Sequence, residues 1–127
     1  MTFNITPRVH AGGQLIGGYG DGGFTIAGVR HQGSVLVLTD RTVAWPVRHV
    51  DLINDNALAD LSEELGNAEI LVIGCGHVFQ PMPSGVAQKI KAQQIGLEWM
   101  DTGAACRTFN VLLTEGRRVA AALIAVD

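Results

Sequence analysis

Two short stretches of the sequence carry side chains that could do chemistry. They are Gly74-Cys75-Gly76-His77 and Asp101-Thr102-Gly103-Ala104-Ala105-Cys106-Arg107. A thiol at the start of a helix and beside an arginine has a lowered pKa and reacts more readily, so Cys106 is a candidate nucleophile and His77 a candidate base. Cysteine is also a common small residue of hydrophobic cores, and no base is assigned beside Cys106 by the sequence. Catalytic residues therefore stay unknown.

Arg107 falls in the predicted first turn of a helix, where the positive end of the helix dipole disfavours a cation by up to about 1 kcal/mol. One explanation is an anionic ligand or a partner carboxylate, held by Arg107, the Thr102 hydroxyl and the free N–H groups of residues 103–105. The other is an internal ion pair of Arg107 with Asp101 or another acid. Both stay open, and the candidate ligand-binding residues are Gly74, Gly76, His77, Asp101, Thr102, Gly103, Cys106 and Arg107.

Three local motifs resemble known sites but lie in the wrong context. Residues 99–104, Trp-Met-Asp-Thr-Gly-Ala, resemble the loop of retroviral-type aspartic proteases, which are all-β proteins, whereas a helix is predicted to follow here. Gly74 and Gly76 begin like a dinucleotide fingerprint, but Phe79 stands at the third glycine position and two prolines delay the next helix, so no pyrophosphate cradle forms. The glycine-rich residues 12–23 lack the Gly-Lys-Ser/Thr of a P-loop.

A metal site is not predicted either. Four-coordinate zinc would lack one ligand at a site made of Cys75, His77 and Cys106. The chain also has no CxxC or HxxxH spacing. The remaining histidines lie in predicted turns or at strand ends, where surface positions are expected; they are His10, His31 and His49. We therefore expect neither a metal nor a cofactor.

The elements that must position these stretches alternate in the second half of the chain. Asn54 can cap a helix whose leucines at 58, 61 and 65 share one face and which Gly66 ends. The continuous apolar residues 70–73 are typical of a strand buried on both faces. The pattern continues with a helix capped by Ser84 and stopped by Gly96, a strand over residues 97–100, a helix from Thr102 or Gly103 to Gly116, and a strand over residues 119–126.

This order of elements predicts a parallel sheet of three strands with right-handed crossovers. Ligands bind such sheets beyond the carboxyl ends of the strands. The loops at residues 74–83 and 101–106 both begin at that edge, so we expect them to face each other across a ligand-sized crevice.

The first 50 residues have a different pattern. Seven glycines between residues 12 and 23 exclude a helix. Residues 24–29, 34–39 and 42–47 are extended in pattern, with a short turn at His31-Gln32-Gly33. The sequence therefore predicts an α/β fold in which an N-terminal antiparallel β layer is followed by a β-α-β-α-β parallel unit.

Size and charge exclude several classes of function. With 127 residues the chain is long enough for one domain with its own core, and a net charge of −3 gives no basic field for binding nucleic acid. Its apolar stretches are shorter than the roughly 20 residues of a membrane span, and no signal or transit peptide is evident. We expect one cytoplasmic domain over residues 1–127, with Cys75 and Cys106 as free thiols.

Three segments carry a family resemblance. Residues 71–76 (Leu-Val-Ile-Gly-Cys-Gly), 96–98 (Gly-Leu-Glu) and 100–112 (Met-Asp-Thr-Gly-Ala-Ala-Cys-Arg-Thr-Phe-Asn-Val-Leu) resemble the Mth-like domain family. That family includes an adipogenesis-associated protein and a mitochondrial assembly factor of NADH:ubiquinone oxidoreductase. The resemblance implies a three-layer α/β fold, and it implies no catalytic residues.

Two hypotheses of function follow. The resemblance implies a non-enzymatic interaction or complex-assembly module with a protein partner, as in assembly of respiratory complex I. The local chemistry indicates instead a protein or enzyme that binds a small anionic ligand in the crevice at residues 74–77 and 101–107. Formation of a homo-oligomer is compatible with either hypothesis.

Overall fold

The structure is a computed structural model that describes residues 2–4 and 13–127. Nine strands and three helices lie in these ranges. The strands are β1 (Thr2–Asn4), β2 (Ile16–Gly20), β3 (Gly23–Ile26), β4 (Val29–Gln32), β5 (Val35–Val37), β6 (Thr42–Ala44), β7 (Ile70–Gly74), β8 (Gly96–Met100) and β9 (Val119–Leu123). The helices are α1 (Asp55–Leu65), α2 (Val86–Lys91) and α3 (Thr102–Thr114), and a short 3-10 turn spans Val50–Leu52.

The strands form two sheets, and α3 lies between them. One sheet is antiparallel with the order β1-β2-β3-β4, and the other has the order β6-β5-β9-β7-β8. Strands β9, β7 and β8 are parallel, as the alternation of elements predicted. One hydrophobic cluster joins α3 to both sheets, and a second joins the opposite face of the five-stranded sheet to α1 and α2. The predicted fold class is confirmed.

Strands β5 and β6 belong to the five-stranded sheet and not to the N-terminal layer. Every residue of Val35–Val37 is buried, which is typical of a strand covered on both faces. Leu36 packs in the cluster with α1 and α2, Val35 and Val37 pack in the cluster with α3, and the strand pairs antiparallel with β6 and with β9. The antiparallel part of the chain thus extends the parallel unit as well as covering it.

The turn between β3 and β4 lies earlier than the predicted one. Strands β3 and β4 are joined by Ala27 and Gly28, whose φ angles are 51° and 79°. Two successive positive φ angles are typical of the tight two-residue turn that matches strand twist. The predicted hairpin turn at His31-Gln32-Gly33 is wrong, because His31 and Gln32 lie within β4, but Gly33 has the positive φ of 86° that a turn glycine adopts. Alanine rarely adopts a positive φ, so the sequence pattern did not indicate a turn at Ala27.

The helix starts agree with the sequence to different degrees. Asn54 caps α1 as predicted, since its side chain accepts a hydrogen bond from the Ala57 amide at 2.9 Å. Helix α2 has no side-chain cap, and Gly85 precedes it with a φ of 91°; the predicted cap by Ser84 is wrong. In the described part of the chain no helix is both long and apolar enough to cross a membrane.

Asn110 fastens α3 to the N-terminal sheet. This side chain is buried and makes two hydrogen bonds to Ile16 of β2. Its Oδ1 accepts from the Ile16 amide at 2.8 Å, and its Nδ2 donates to the Ile16 carbonyl at 2.9 Å. The register of β2 against β3 is irregular between Ile16 and Gly18. The Asn110 amide therefore satisfies two backbone groups that regular pairing leaves free at this position.

Replacing Asn110 by leucine should leave both Ile16 groups buried and unpaired. We expect Asn110→Leu to lower the free energy of unfolding by about 2–4 kcal/mol, measured by urea denaturation. Val111→Ala is the matched control, because Val111 is the next residue of α3 and is 54% exposed. If Asn110→Leu lowers the free energy of unfolding no more than Val111→Ala does, these hydrogen bonds do not stabilise the contact between α3 and β2.

Candidate functional site

The two loops expected to flank a crevice lie side by side at the carboxyl ends of β7 and β8. Gly74 is in register with Met100, the last residue of β8. The Cys75 amide donates to the Met100 carbonyl at 2.8 Å, and the Thr102 amide donates to the Gly76 carbonyl at 2.9 Å. Direct backbone hydrogen bonds therefore join the loops, and no ligand-sized gap separates them at this point.

Thr102 fills the space between the loops. It is fully buried, and its hydroxyl donates to the Ile124 carbonyl at 2.8 Å and accepts from the Gly76 amide at 3.1 Å. A Cβ on Gly74 would lie 2.9 Å from the Thr102 Cα, so glycine is required there for close approach. The expectation that the Thr102 hydroxyl binds an anion is corrected, because backbone groups already occupy this hydroxyl.

The amides at the start of α3 are also largely occupied. The Asp101 carboxylate caps the helix by accepting from the Ala104 amide at 3.0 Å, and the Asp101 carbonyl accepts from the Ala105 amide at 2.9 Å. Tyr19 covers Gly103, since a Cβ at Gly103 would lie 2.5 Å from the Tyr19 hydroxyl oxygen. Asp101 thus occupies two of the three amides of the predicted cradle, those of Ala104 and Ala105.

Cys106 lies in the hydrophobic cluster between the two sheets, together with Phe109 and Val72. It is fully buried. Burial raises the pKa of the Cys106 thiol to about 12, against the opposing effect of the Arg107 charge. The predicted lowering of this pKa is wrong, because desolvation of a thiolate outweighs a cation that stays in solvent. His77 is exposed and so does not share the environment of Cys106.

Arg107 is exposed and forms no ion pair with any residue in ranges 2–4 and 13–127. Asp101, the internal partner proposed for it, caps α3 instead. Full solvation reduces the cost of a cation at this helix end. Neither a ligand nor an internal acid is thus required to explain Arg107.

A pocket of about 240 Å³ lies on the other side of the first loop. From the predicted site it includes Gly76 and His77, and Cys75 also lines it. The rest of its lining was not predicted and consists of Arg48, His49, Val78, Gln80 and residues 124–127. Residues 124–127 could have been predicted from the sequence, because they follow β9. In a parallel sheet the carboxyl end of β9 lies at the same edge as those of β7 and β8.

Two apolar side chains project from this edge, and we call Val78 and Phe79 the carboxyl-edge tip. They are 57% and 63% exposed. The loop that carries them is held in place, because the Gln80 amide donates to the Cys75 Sγ at 3.3 Å and the Trp99 indole donates to the Gln80 carbonyl at 2.8 Å. Val78 and Phe79 are adjacent and exposed together, and contiguous exposed apolar surface is a feature of interaction sites.

The remaining candidate ligands are dispersed. Within the described ranges, no three His, Cys, Asp or Glu side chains are placed to hold a metal ion. Cys75 and Cys106 are both buried free thiols. His49 is exposed and its Nδ1 accepts from the Asp51 amide at 3.2 Å, and His31 is half-buried in β4. His10 lies outside the described residues.

Comparison with known proteins gives matches over nearly the whole chain. An uncharacterised protein of Rhodobacter capsulatus is 37% identical over 114 residues, which cover 90% of this chain and 86% of that protein. Human NADH dehydrogenase (ubiquinone) 1 alpha subcomplex assembly factor 3 is 37% identical over 124 residues, which cover 96% of this chain and 66% of the human protein.

The fold has solved counterparts. The solution structure of a Bordetella pertussis protein described as an Mth938-like domain matches with a TM-score of 0.74 and 25% identity, over 98% of this chain and 92% of that one. A family model for a protein of unknown function, DUF498/DUF598, matches residues 16–124. The match takes in both sheets from β2 onwards and all three helices. The chain therefore belongs to the DUF498/DUF598 family, and its fold is that of an Mth938-like domain.

Proposed function

We propose that this protein is a non-enzymatic interaction module that takes part in assembling a larger complex, of the class of NADH:ubiquinone oxidoreductase. One observation carries the proposal: 37% identity over 124 residues to a human protein named as an assembly factor of NADH dehydrogenase. This chain spans 66% of the human protein, so the role is carried over here as a proposal. A cytoplasmic location stays a prediction.

The geometry of the carboxyl edge supports an interaction role over catalysis. Thr102 fills the crevice, and Cys106 is buried away from the exposed His77, so the candidate nucleophile and the candidate base do not lie together. The carboxyl-edge tip offers two solvent-exposed apolar side chains on a fixed loop. Rigid apolar anchors of this kind lose little conformational entropy when a partner binds.

The second candidate function is binding of a small anion in the 240 Å³ pocket. Arg48 favours it, because this exposed side chain lines the pocket and makes no ion pair within the described residues. His49 and His77 also line the pocket. Asp127 lines it too and opposes an anion, and His49 already lies 3.4 Å from the Asp51 carboxylate.

Deletion of the gene in its own host tests the assembly role. We expect less assembled NADH:ubiquinone oxidoreductase, measured by activity staining of native gels, and full recovery with the unaltered protein. Phe79→Ser should fail to restore assembly because it removes an exposed apolar anchor. Val29→Ser is the matched control, since Val29 is 56% exposed on β4. Normal assembly in the deletion strain would contradict the proposal.

The protonation of Cys106 tests whether this thiol can act as a nucleophile. Because burial raises its pKa from 9.0 to about 12, the unfolded thiol ionises above about pH 9 while the folded thiol stays protonated. The folded state then binds more protons, so the free energy of unfolding should fall by about 1.4 kcal/mol per pH unit relative to Cys106→Ala. Urea denaturation from pH 8 to 11 measures this difference, and a pH-independent difference would refute it.

Inorganic phosphate is a probe for the second candidate function. If the pocket binds anions, phosphate should raise the melting temperature of the unaltered protein and of Arg107→Ala, but not of Arg48→Ala. Thermal unfolding at constant ionic strength makes the measurement. Equal responses of the Arg48→Ala protein and the unaltered protein would exclude this pocket as the site.

A further inference from the structure

Strand β8 is an edge of the five-stranded sheet, and two of its five residues direct their backbone groups away from the neighbouring strand. In a parallel pair, alternate residues direct both their N–H and their C=O to the neighbouring strand. The Gly96 amide donates to the Glu69 carbonyl at 2.9 Å and the Met100 carbonyl accepts from the Cys75 amide at 2.8 Å. Gly96, Glu98 and Met100 therefore direct their backbone groups towards β7.

Leu97 and Trp99 direct their backbone groups the other way, away from β7. Within residues 2–4 and 13–127, neither amide and neither carbonyl of these two residues has a hydrogen-bonding partner outside the β7–β8 pairing. Their side chains pack on the cluster with α1 and α2, which fixes the strand. A rigid strand with an open row of donors and acceptors is a template for an added strand.

Glu98 indicates which kind of strand fits this edge. It is exposed at the middle of β8 and forms no ion pair with a described residue. In the antiparallel register of two copies that pairs Leu97 with Trp99 on both sides, the two Glu98 carboxylates would face each other. Like charges directly opposite each other destabilise a strand pair, whereas a lysine or arginine opposite Glu98 stabilises it.

We propose that β8 binds an extended segment of a different protein by strand addition, with a basic side chain opposite Glu98. This inference rests on the proposed interaction role and names its surface and the chemistry of its partner. The four open backbone groups of Leu97 and Trp99 supply the hydrogen bonds, and Glu98 supplies the charge preference. Strand addition of this type is an established mode of peptide recognition.

A seven-residue peptide in which valine and lysine alternate is the probe. Binding to the full chain, followed by NMR, should shift the Leu97 and Trp99 amide signals and slow their hydrogen exchange. A peptide with glutamate in place of lysine should bind at least about tenfold more weakly, which corresponds to about 1.4 kcal/mol. Shifts confined to other elements, or equal binding of the two peptides, would overturn the proposal.

Two variants make the test specific to the edge. Leu97→Pro removes an outward amide that the sheet does not use, which edge strands tolerate, and it should abolish peptide binding while Leu97→Ala does not. Glu98→Lys should reverse the preference between the two peptides, whereas Glu63→Lys on the exposed face of α1 should not. If the protein alone forms a dimer that protects Leu97 and Trp99, the occupant is a second copy and the proposal is wrong.

The strand-addition proposal and the assembly role can fail independently of each other. Peptide binding is measured on the purified protein, so it stands if gene deletion leaves the oxidoreductase intact. Conversely, if deletion impairs assembly and a folded Leu97→Pro protein restores it, the assembly role stands and the edge proposal fails.

Discussion

The hydroxyl of Thr102 holds together the ends of the three parallel strands. Thr102 is the second residue after β8, and its hydroxyl accepts from the amide of Gly76, two residues beyond β7, and donates to the carbonyl of Ile124, the residue after β9. Thr102 is fully buried, and an unpaired polar group in the interior costs about 1–3 kcal/mol. The same edge that binds ligands in many open α/β sheets is thereby used to close the sheet.

The neighbouring residues follow from this constraint. Gly74 must lack a side chain because Thr102 lies against it. Gly103 must lack one because the Tyr19 ring lies against it. Cys106 then falls in the first turns of a helix packed between two sheets, where its thiol stays protonated. What remains exposed at this edge is the carboxyl-edge tip and the pocket beside it.

Local patterns predicted the regular elements better than the site. The cap at Asn54 and the apolar strand Ile70–Gly74 depend on neighbouring residues, so the sequence indicated both. The roles of Thr102 and Asn110 depend on groups far away along the chain, namely Ile124 and Ile16. The pKa of Cys106 was mispredicted for the same reason, because its burial comes from the two sheets packed around α3, which its local sequence does not show.

Hydrogen exchange of the protein isolated with its partners from its own host, compared with the free protein, tests the central claim most directly. A closed edge that serves as a contact surface predicts slower exchange at the amides of the carboxyl-edge tip and of Leu97 and Trp99, with no change over residues 102–107. Altered exchange confined to residues 102–107, together with a retained small molecule, would contradict the account. It would favour binding of a small ligand in the predicted crevice.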